Sequence, residues 1–238
     1  MDIFDQSAYN IRLEWGIKGV ELLAPVSDVI VIVDVLSFST CVDVAVRRDA
    51  IVYPYEFYND TAIAFAAEKK AILASKRNDQ TGAFSLSPAS LQHLPQGSRL
   101  VLPSSNGSAL SLATGSTVTF CACLRNARAV AQAAMRSGKT IAVIPAGERW
   151  PDRSLRPAYE DLLGAGAVIS HLSGSISPEA SIALATYRSC LDIHAALRQC
   201  SSGRELIEMG FEEDAHIASQ LNVSDIAPRL IGGAYRRG

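Results

Sequence analysis

Short apolar segments alternate with helix-like segments along most of the chain. The clearest one runs from Val29 to Val33, where every residue is Val or Ile and Asp34 follows. A β-branched run too short for a helix predicts a strand buried on both faces of a parallel sheet. Residues 41–47 then read as a helix, so Asp34 lies where a strand meets a helix. Ligands of open α/β sheets bind at that edge.

Further strands are predicted at 51–57, 71–75, 99–103, 117–123 and 140–147, and residues 7–23 weakly suggest an opening strand. Pro54 is expected to end its strand or to place it at an edge. Helices are predicted after the caps Asp60 and Asn126, and after Pro157. Gly166 is expected to leave room for a close neighbour. One long helix is expected from 178 to 200.

This alternation predicts an α/β fold, doubly wound around a mostly parallel sheet. No repeat, low-complexity tract or linker interrupts the 238 residues. We therefore expect one domain, 1–238, in which residues 176–230 form a helical subregion.

Charge and hydropathy exclude several classes of partner. The net charge is −2, and no basic block appears apart from the terminal pair Arg236 and Arg237, which argues against nucleic acid. No apolar run approaches the roughly 18 residues of a membrane span, and the acidic amino terminus is unlike a secretion signal. We expect a cytoplasmic protein without a membrane partner. The five cysteines show no CxxC pairing, which argues against a disulfide framework or a structural zinc site. A homo-oligomer is left open.

One candidate site is the loop after the strand at 99–103. Small hydroxyl residues followed by Asn-Gly and a helix start suit a backbone anion site, although the lysine of a Walker loop is missing. An ordinary strand-to-helix turn is the equal alternative. The loop residues are Ser104, Ser105, Asn106, Gly107 and Ser108.

The carboxylates form a second set of candidates. Asp34 is either a helix cap or a ligand of Mg²⁺, which takes one or two carboxylates with phosphate and water oxygens. An aspartyl nucleophile is disfavoured because Leu36 stands where a second Asp is needed. Glu160 and Asp161 open a helix, downstream of Glu148. Adjacent helical residues diverge by about 100°, so one of the pair is expected to bind the ion.

Arg125 and Asn126 follow another predicted strand. The planar guanidinium of Arg125 suits phosphate or sulfonate, although a solvated surface arginine is the alternative. None of the four histidines has metal-ligand spacing with another.

Taken in order, several segments resemble the Mg²⁺-dependent 2-phosphosulfolactate phosphatase family. The resemblance covers most of residues 28–230 and is strongest in the tail, around Gly210 to Asp214. The segments are VIVDVLSFST, PSSNGSAL, CLRNARAVA, YEDLLGAGAVI and SGRELIEMGFEEDAHIASQLNVSDIAPRL.

The resemblance implies a family-specific α/β fold and hydrolysis of 2-phosphosulfolactate to sulfolactate and phosphate. In methane-producing archaea this reaction serves coenzyme M biosynthesis. Carried over by position, it points to Asp34, the loop 104–108, Asn126, and the pair Glu160 and Asp161.

The chain also departs from the family pattern. Ser37 replaces the usual Arg, and Ser75-Lys76-Arg77-Asn78 replaces a Gly-Glu-Arg segment, where only Arg77 and the later Ser87-Pro88 survive. At two positions where the family has cysteine, this chain has Pro145 and Gly164. The lost cation and carboxylate are expected to change substrate choice or weaken activity, unless Arg125 supplies the charge.

The resulting hypothesis is a Mg²⁺-dependent phosphomonoesterase for a small phosphorylated anion. Asp34 and one of Glu160 and Asp161 would hold the metal, and Asp34, Asn106 and Asp161 would act in catalysis. The alternatives are another small phosphorylated acid as substrate, or a non-catalytic module that binds an anionic metabolite. Substrate contacts are expected from Ser37, Ser104, Ser105, Gly107, Ser108, Arg125 and Asn126.

Overall fold

Strands and helices alternate through the chain, as the sequence predicts. A computed structural model describes residues 3–77 and 82–238. The strands are β1 (Ile11–Leu13), β2 (Val29–Val33), β3 (Ile51–Tyr55), β4 (Ile72–Leu73), β5 (Arg99–Pro103), β6 (Val118–Ala122), β7 (Ile141–Pro145), β8 (Glu148–Arg149), β9 (Leu155–Arg156), β10 (Pro228–Ile231) and β11 (Ala234–Arg237). The helices are α1 (Gly16–Leu23), α2 (Phe38–Arg47), α3 (Asp60–Lys69), α4 (Pro88–Leu91), α5 (Gly107–Ala113), α6 (Ala127–Ser137), α7 (Tyr159–Ile169), α8 (Pro178–Ser189), α9 (Ile193–Gln199), α10 (Ser201–Glu208) and α11 (Glu212–Ala218).

Within these described residues, nine strands form one sheet in the order β1-β7-β2-β6-β10-β11-β3-β5-β4. Strands β1, β7, β2 and β6 are parallel neighbours, and β3, β5 and β4 form a second parallel group. The carboxyl-terminal hairpin β10–β11 joins the groups through antiparallel pairings with β6 and β3. The sheet is therefore mostly parallel, as expected, but its two groups run in opposite directions.

Strand β2 lies at the centre of the first parallel group, between β6 and β7. Val29, Val31 and Val33 pack into the core that α6 and α7 share. Ile30 and Ile32 pack into a second core with α1 and α5 on the opposite face. This alternation follows from the two-residue period of a strand. The prediction of a strand buried on both faces is confirmed.

Strand β3 differs from the expectation for Pro54. The strand continues through Pro54 to Tyr55 and lies between β11 and β5, so the expected end or edge position is wrong. Pairing with β11 is confined to Val52, while Pro54 lies opposite Leu102 of β5. The proline is tolerated because the ladder toward β11 does not extend to it.

Two helix boundaries were also wrong. The segment 178–200 is two helices, because the Asp192 carboxylate accepts a hydrogen bond from the Ala195 N–H at 2.9 Å and begins α9 anew. The cap of α3 is Asn59, one residue before the expected Asp60. Side chains that bond nearby backbone N–H groups start helices, and two neighbouring candidates are hard to separate by sequence.

Helix α7 packs between β2 and α8. A Cβ at Gly164 would lie 2.6 Å from the Val35 side chain, and one at Gly166 would lie 2.0 Å from the Ala183 carbonyl oxygen. The expected room at Gly166 is confirmed, and α8 occupies it. Residues 176–230 contain α8 to α11, but the segment ends in β10. In the part of the chain that the structure describes, no helix is long and apolar enough to cross a bilayer.

Candidate active site

Asp34 connects two elements at the end of β2. Its Oδ1 accepts a hydrogen bond from the Phe38 N–H at 3.0 Å, at the first residue of α2. Its Oδ2 accepts one from the Gly107 N–H at 2.9 Å, at the start of α5. The side chain is only 5% exposed. Asp34 therefore serves the following helix as a cap does, and it also holds the loop after β5 against β2.

The loop after β5 contacts this carboxylate closely because it contains glycine. A Cβ at Gly107 would lie 2.2 Å from the Phe38 ring and 2.8 Å from Oδ2 of Asp34. The Asn106 Nδ2 donates to Oε2 of Glu148 at 2.9 Å, which extends the contacts to β8. The expected backbone donor at Gly107 is thus engaged by Asp34.

The serines of this loop are engaged largely within the fold. The Ser108 hydroxyl donates to the Leu102 carbonyl at 2.9 Å, and the Ser104 hydroxyl accepts from the Asn106 N–H at 3.3 Å. The Ser105 carbonyl accepts from Nη2 of Arg149 at 3.3 Å. These contacts shape the loop, and the role expected of its serines in substrate binding stays a prediction.

The two acidic residues that begin α7 have different surroundings. Asp161 accepts hydrogen bonds from the Val35 N–H at 2.7 Å and the Gly147 N–H at 2.8 Å, one on each oxygen, so it ties the end of β2 to the end of β7. Glu160 is 1% exposed and lies beside the Cys200 thiol. Asp161 thus has a structural role, and Glu160 is better placed than Asp161 to contact a bound ion.

Glu148 completes a carboxylate cluster with Asp34, Glu160 and Asp161, and it is only partly buried whereas the other three are buried. In the sequence it stood out only as an acidic residue upstream of α7. It follows Gly147, which has a positive φ of 68° and turns the chain after β7. Burial, and then the charges of Asp34 and Glu160, raise the pKa of Glu148 to about 8. The sequence feature that could have identified Glu148 as a site residue is its position just after a buried strand and a glycine.

The pKa values of Asp34 and Asp161 are also raised. Burial raises the pKa of Asp34 to about 6 against the opposing backbone hydrogen bonds, and the charge of Glu160 adds to the rise. Burial and the charges of Asp34 and Glu160 raise the pKa of Asp161 well above its usual value. Like charges in a low-dielectric site disfavour joint ionisation. Positive charge beside these groups would therefore ease their ionisation.

Arg125 and Asn126 are placed away from this cluster. The Arg125 guanidinium donates to Oδ2 of Asp43 at 2.9 Å and to the Ile217 carbonyl at 3.2 Å, and it also contacts Gln220. Asn126 is fully buried, and its side chain accepts from the Cys123 N–H at 2.8 Å. Arg125 thus joins this turn to α2 and α11, and Asn126 holds the turn itself, so their side chains bond these partners and not Asp34.

The cation that contacts Ser37 is Arg77. Its Nη2 donates to the Ser37 hydroxyl at 2.8 Å, and its positive charge opposes the rise of the Asp34 pKa. The guanidinium also pairs with Asp214 at 3.5 Å and lies 5.4 Å from the centre of the Phe211 ring. Arg77 thus supplies positive charge near position 37. From the sequence, Arg125 was the candidate for that charge. Asn78, in the same departing segment, lies outside the described residues.

The sequence model of the 2-phosphosulpholactate phosphatase family matches residues 20–233, which include every carboxylate of the cluster. The chain belongs to the 2-phosphosulpholactate phosphatase family.

Individual family members show the same relationship along nearly their whole length. A protein of Methanothermobacter thermautotrophicus named 2-phosphosulfolactate phosphatase is 30% identical over 217 residues, 89% of this chain and 88% of its own. A probable 2-phosphosulfolactate phosphatase of Carboxydothermus hydrogenoformans is 28% identical over 211 residues, 84% of each chain. One of Pseudothermotoga lettingae is 26% identical over 217 residues, 87% of this chain and 92% of its own.

The structure gives physical roles to the segments that carry the family resemblance. In the tail, Phe211 and Asp214 hold Arg77, and the Ser87 hydroxyl donates to Oδ1 of Asp214 at 2.6 Å. Gly164 lets α7 approach Val33 and Val35. The tail thus connects through Arg77 to Ser37, just beyond the end of β2, although these segments are far apart in sequence.

Proposed function

We propose that this protein is a Mg²⁺-dependent phosphoric monoester hydrolase that converts 2-phosphosulfolactate to sulfolactate and phosphate. The supporting observation is that the carboxylates of Asp34, Glu148 and Glu160 lie together near the end of β2, where burial and the charge of Glu160 raise the pKa of Asp34 and of Glu148. They do so in a chain that matches this phosphatase family over residues 20–233.

Carboxylate oxygens are donors that Mg²⁺ accepts. Among the described residues, no group of three or more His, Cys, Asp and Glu side chains is arranged to hold a metal ion. Mg²⁺ usually takes one or two carboxylates and completes its shell with water and phosphate oxygens. We assign Asp34 and Glu160 as the ligands. Asp34 and Asp161 both accept a backbone hydrogen bond on each oxygen. We give Asp161 the positioning role because its partners, Val35 and Gly147, join the end of β2 to the end of β7.

The chemistry supplied by a bound Mg²⁺ is electrostatic stabilisation of the phosphoryl group. Water attacks phosphorus, the ester P–O bond breaks, and the leaving oxygen takes a proton. Glu148 is the proposed proton donor, because its pKa of about 8 keeps it protonated at neutral pH. Asn106 orients Glu148 through its Nδ2.

The test is phosphate release from 2-phosphosulfolactate with added Mg²⁺ and with a chelator. We expect turnover with Mg²⁺ only, and its loss in Asp34→Asn. The exposed Asp60, in the first turn of α3, provides the matched control Asp60→Asn, which should keep wild-type activity. Turnover in the chelator, or wild-type activity in Asp34→Asn, would contradict the proposal.

A further inference from the structure

Three arginines that take no part in the carboxylate cluster line one pocket, which we call the arginine pocket. Arg47 is the last residue of α2, Arg48 follows it, and Arg125 lies in the turn after β6. Gln92, which follows α4, and Gln220, which follows α11, also line it. The volume is about 390 Å³, within the range of sites that hold small molecules. Four segments that are distant in sequence thus bring guanidinium and amide groups together.

Arg125 forms the buried wall of the arginine pocket, and its partners fix its orientation. The side chain is 8% exposed, and its Nε donates to Oδ2 of Asp43 at 2.9 Å. Asp43 is itself held by the Ser224 hydroxyl, which donates to Oδ1 at 2.5 Å. Nη1 of Arg125 bonds the Ile217 carbonyl and Oε1 of Gln220. Within the described residues, Nη2 of Arg125 has no hydrogen-bond partner, so this nitrogen can donate to a ligand.

Arg47 and Arg48 use few of their donors within the fold. Nη1 of Arg47 donates to the Val223 carbonyl at 2.7 Å, and Nε of Arg48 donates to the Leu94 carbonyl. A guanidinium has five N–H donors, so most of them remain. In the ranges 3–77 and 82–238, neither arginine forms an ion pair. The dipole of α2 favours cations at its end, but it does not explain why both share a pocket with Arg125.

Positive charge in the arginine pocket exceeds negative charge. Among the described residues that line it, none is Asp or Glu. The buried Asp43 pairs with Arg125 and is one carboxylate against three guanidinium groups. Asp49, next to Arg48, pairs instead with Arg237 at 3.4 Å. The excess of positive charge therefore matches a doubly charged anion.

We infer that the arginine pocket binds a tetrahedral dianion, either free phosphate or the phosphate group of a monoester. Planar guanidinium groups donate paired hydrogen bonds to phosphate oxygens. Because Oε1 of Gln220 bonds Arg125, the amide nitrogen of Gln220 is left to donate to the anion. The anion binding that the sequence suggested for Arg125 thus belongs to a site other than the carboxylate cluster.

Helix α2 separates this site from the proposed active site. The Phe38 N–H bonds Asp34 at the first residue of α2, and Arg47 is the last residue. Nine residues of helix correspond to roughly 14 Å along the axis. A phosphate at the arginine pocket is therefore distinct from one at the carboxylate cluster, and its binding requires neither Mg²⁺ nor turnover.

The first test is calorimetry with inorganic phosphate at pH 8, in a chelator and at constant ionic strength. The wild type should bind phosphate, and Arg47→Gln and Arg48→Gln should each weaken binding on the order of tenfold, because each removes charge-assisted hydrogen bonds. Arg136→Gln is the matched control, since Arg136 is an exposed arginine in the last turn of α6. It should keep the wild-type affinity. Unchanged affinity in both pocket variants overturns the inference.

A second variant changes charge without removing an arginine. Gln92 is exposed, so Gln92→Glu keeps the shape and the fold but places a carboxylate in the pocket. It should weaken phosphate binding on the order of tenfold by repulsion between like charges. Gln132→Glu, at an exposed position of α6, is its control and should bind as the wild type does. Equal affinity in Gln92→Glu and Gln132→Glu would mean that the arginines only hold neighbouring loops.

A third comparison locates the bound phosphate. Asp34→Asn alters the carboxylate cluster and should leave phosphate affinity in the chelator unchanged. An altered affinity in Asp34→Asn with none in Arg48→Gln would place the phosphate at the cluster and overturn the inference. Glycerol 3-phosphate distinguishes the two forms of the ligand. Tighter binding than phosphate supports a monoester, and equal or weaker binding supports the free ion.

Discussion

Glu148 is partly buried and Asp161 is buried, and their hydrogen-bond partners differ. Asp161 accepts a backbone hydrogen bond on each oxygen, whereas the Glu148 carboxylate accepts one from the Asn106 amide. The Glu148 pKa of about 8 lies close to physiological pH, the range in which a group transfers protons efficiently. Asp161 instead connects two strand ends. The hydrogen-bond partners thus distinguish Glu148, which is suited to proton transfer, from Asp161, which is suited to a structural role.

Glu148→Gln removes the proposed proton donor but keeps a similar shape. We expect kcat to fall about 10²- to 10⁴-fold with little change in KM. In the wild type, kcat should decline as pH rises through about 8, because Glu148 loses its proton there. Steady-state kinetics from pH 6 to 9.5 measures both effects, and the decline should be absent in the variant.

The matched control for this prediction is Glu68→Gln, because Glu68 is an exposed residue of α3. It should reproduce the wild-type pH profile. A wild-type kcat in Glu148→Gln would show that the leaving oxygen obtains its proton elsewhere.

Among the elements, α7 contributes most directly to the site. Its first turn carries Glu160 and Asp161, and its glycines allow close packing on β2 and α8. Because interiors are densely packed, a helix cannot move at one end without a change at the other. The position of the acidic pair therefore depends on contacts a full turn or more away.

Gly166→Ala tests this dependence. The new Cβ would lie 2.0 Å from the Ala183 carbonyl oxygen, which is backbone, so α7 and α8 must separate. We expect a loss of about 1–3 kcal/mol in the free energy of unfolding, as in other overpacked cores. Urea denaturation measures the loss.

Ala185→Ser adds one atom at an exposed position of α8 and is the control, with a change within about 0.5 kcal/mol. Equal stability of Gly166→Ala and the wild type would mean that α7 and α8 are not tightly packed.

At the scale of the whole molecule, buried carboxylates make folding sensitive to pH and metal. The Asp34 and Glu148 pKa values are raised to about 6 and about 8 from ordinary values of 3.8 and 4.5. Carboxyl groups with a raised pKa in the folded state contribute stability at low pH. That contribution is lost as pH rises through the folded-state values.

Metal-free protein should therefore be less stable at pH 9 than at pH 5.5, and Mg²⁺ should restore stability mainly at pH 9. Thermal unfolding with a chelator and with Mg²⁺ at both pH values tests this. For a chain of this size, each kcal/mol corresponds to roughly 2–4 °C in Tm. Asp34→Asn should reduce the gain from Mg²⁺. The same gain at both pH values would contradict the ionisation argument.

Local patterns were sufficient where one short segment determines the structure. The run Val29–Val33 predicts β2 because five β-branched residues can be buried on both faces only inside a sheet. The same reasoning gives β5 without error in its bounds. The alternation of such runs with helical segments determines the α/β class. Asp34, at the end of β2, could be selected by its position alone.

Longer-range features were beyond the reach of local patterns. The hairpin β10–β11 was missed because its place between the parallel groups depends on contacts across the chain. Tyr235 is fully buried, bonds Ser111 at 2.7 Å and packs on Phe38. A four-residue strand has no local signal of such a position.

The sequence by itself determined the α/β alternation, the central strand and the carboxylates that end or follow its strands. Only the tertiary structure decided which charges meet. Arg77 contacts Ser37, while Arg125 pairs with Asp43, 82 positions away. Both arginines follow predicted strands, so spacing did not distinguish them. The physical reason is that a guanidinium is placed by the partners that packing brings to it, and those partners lie on distant segments.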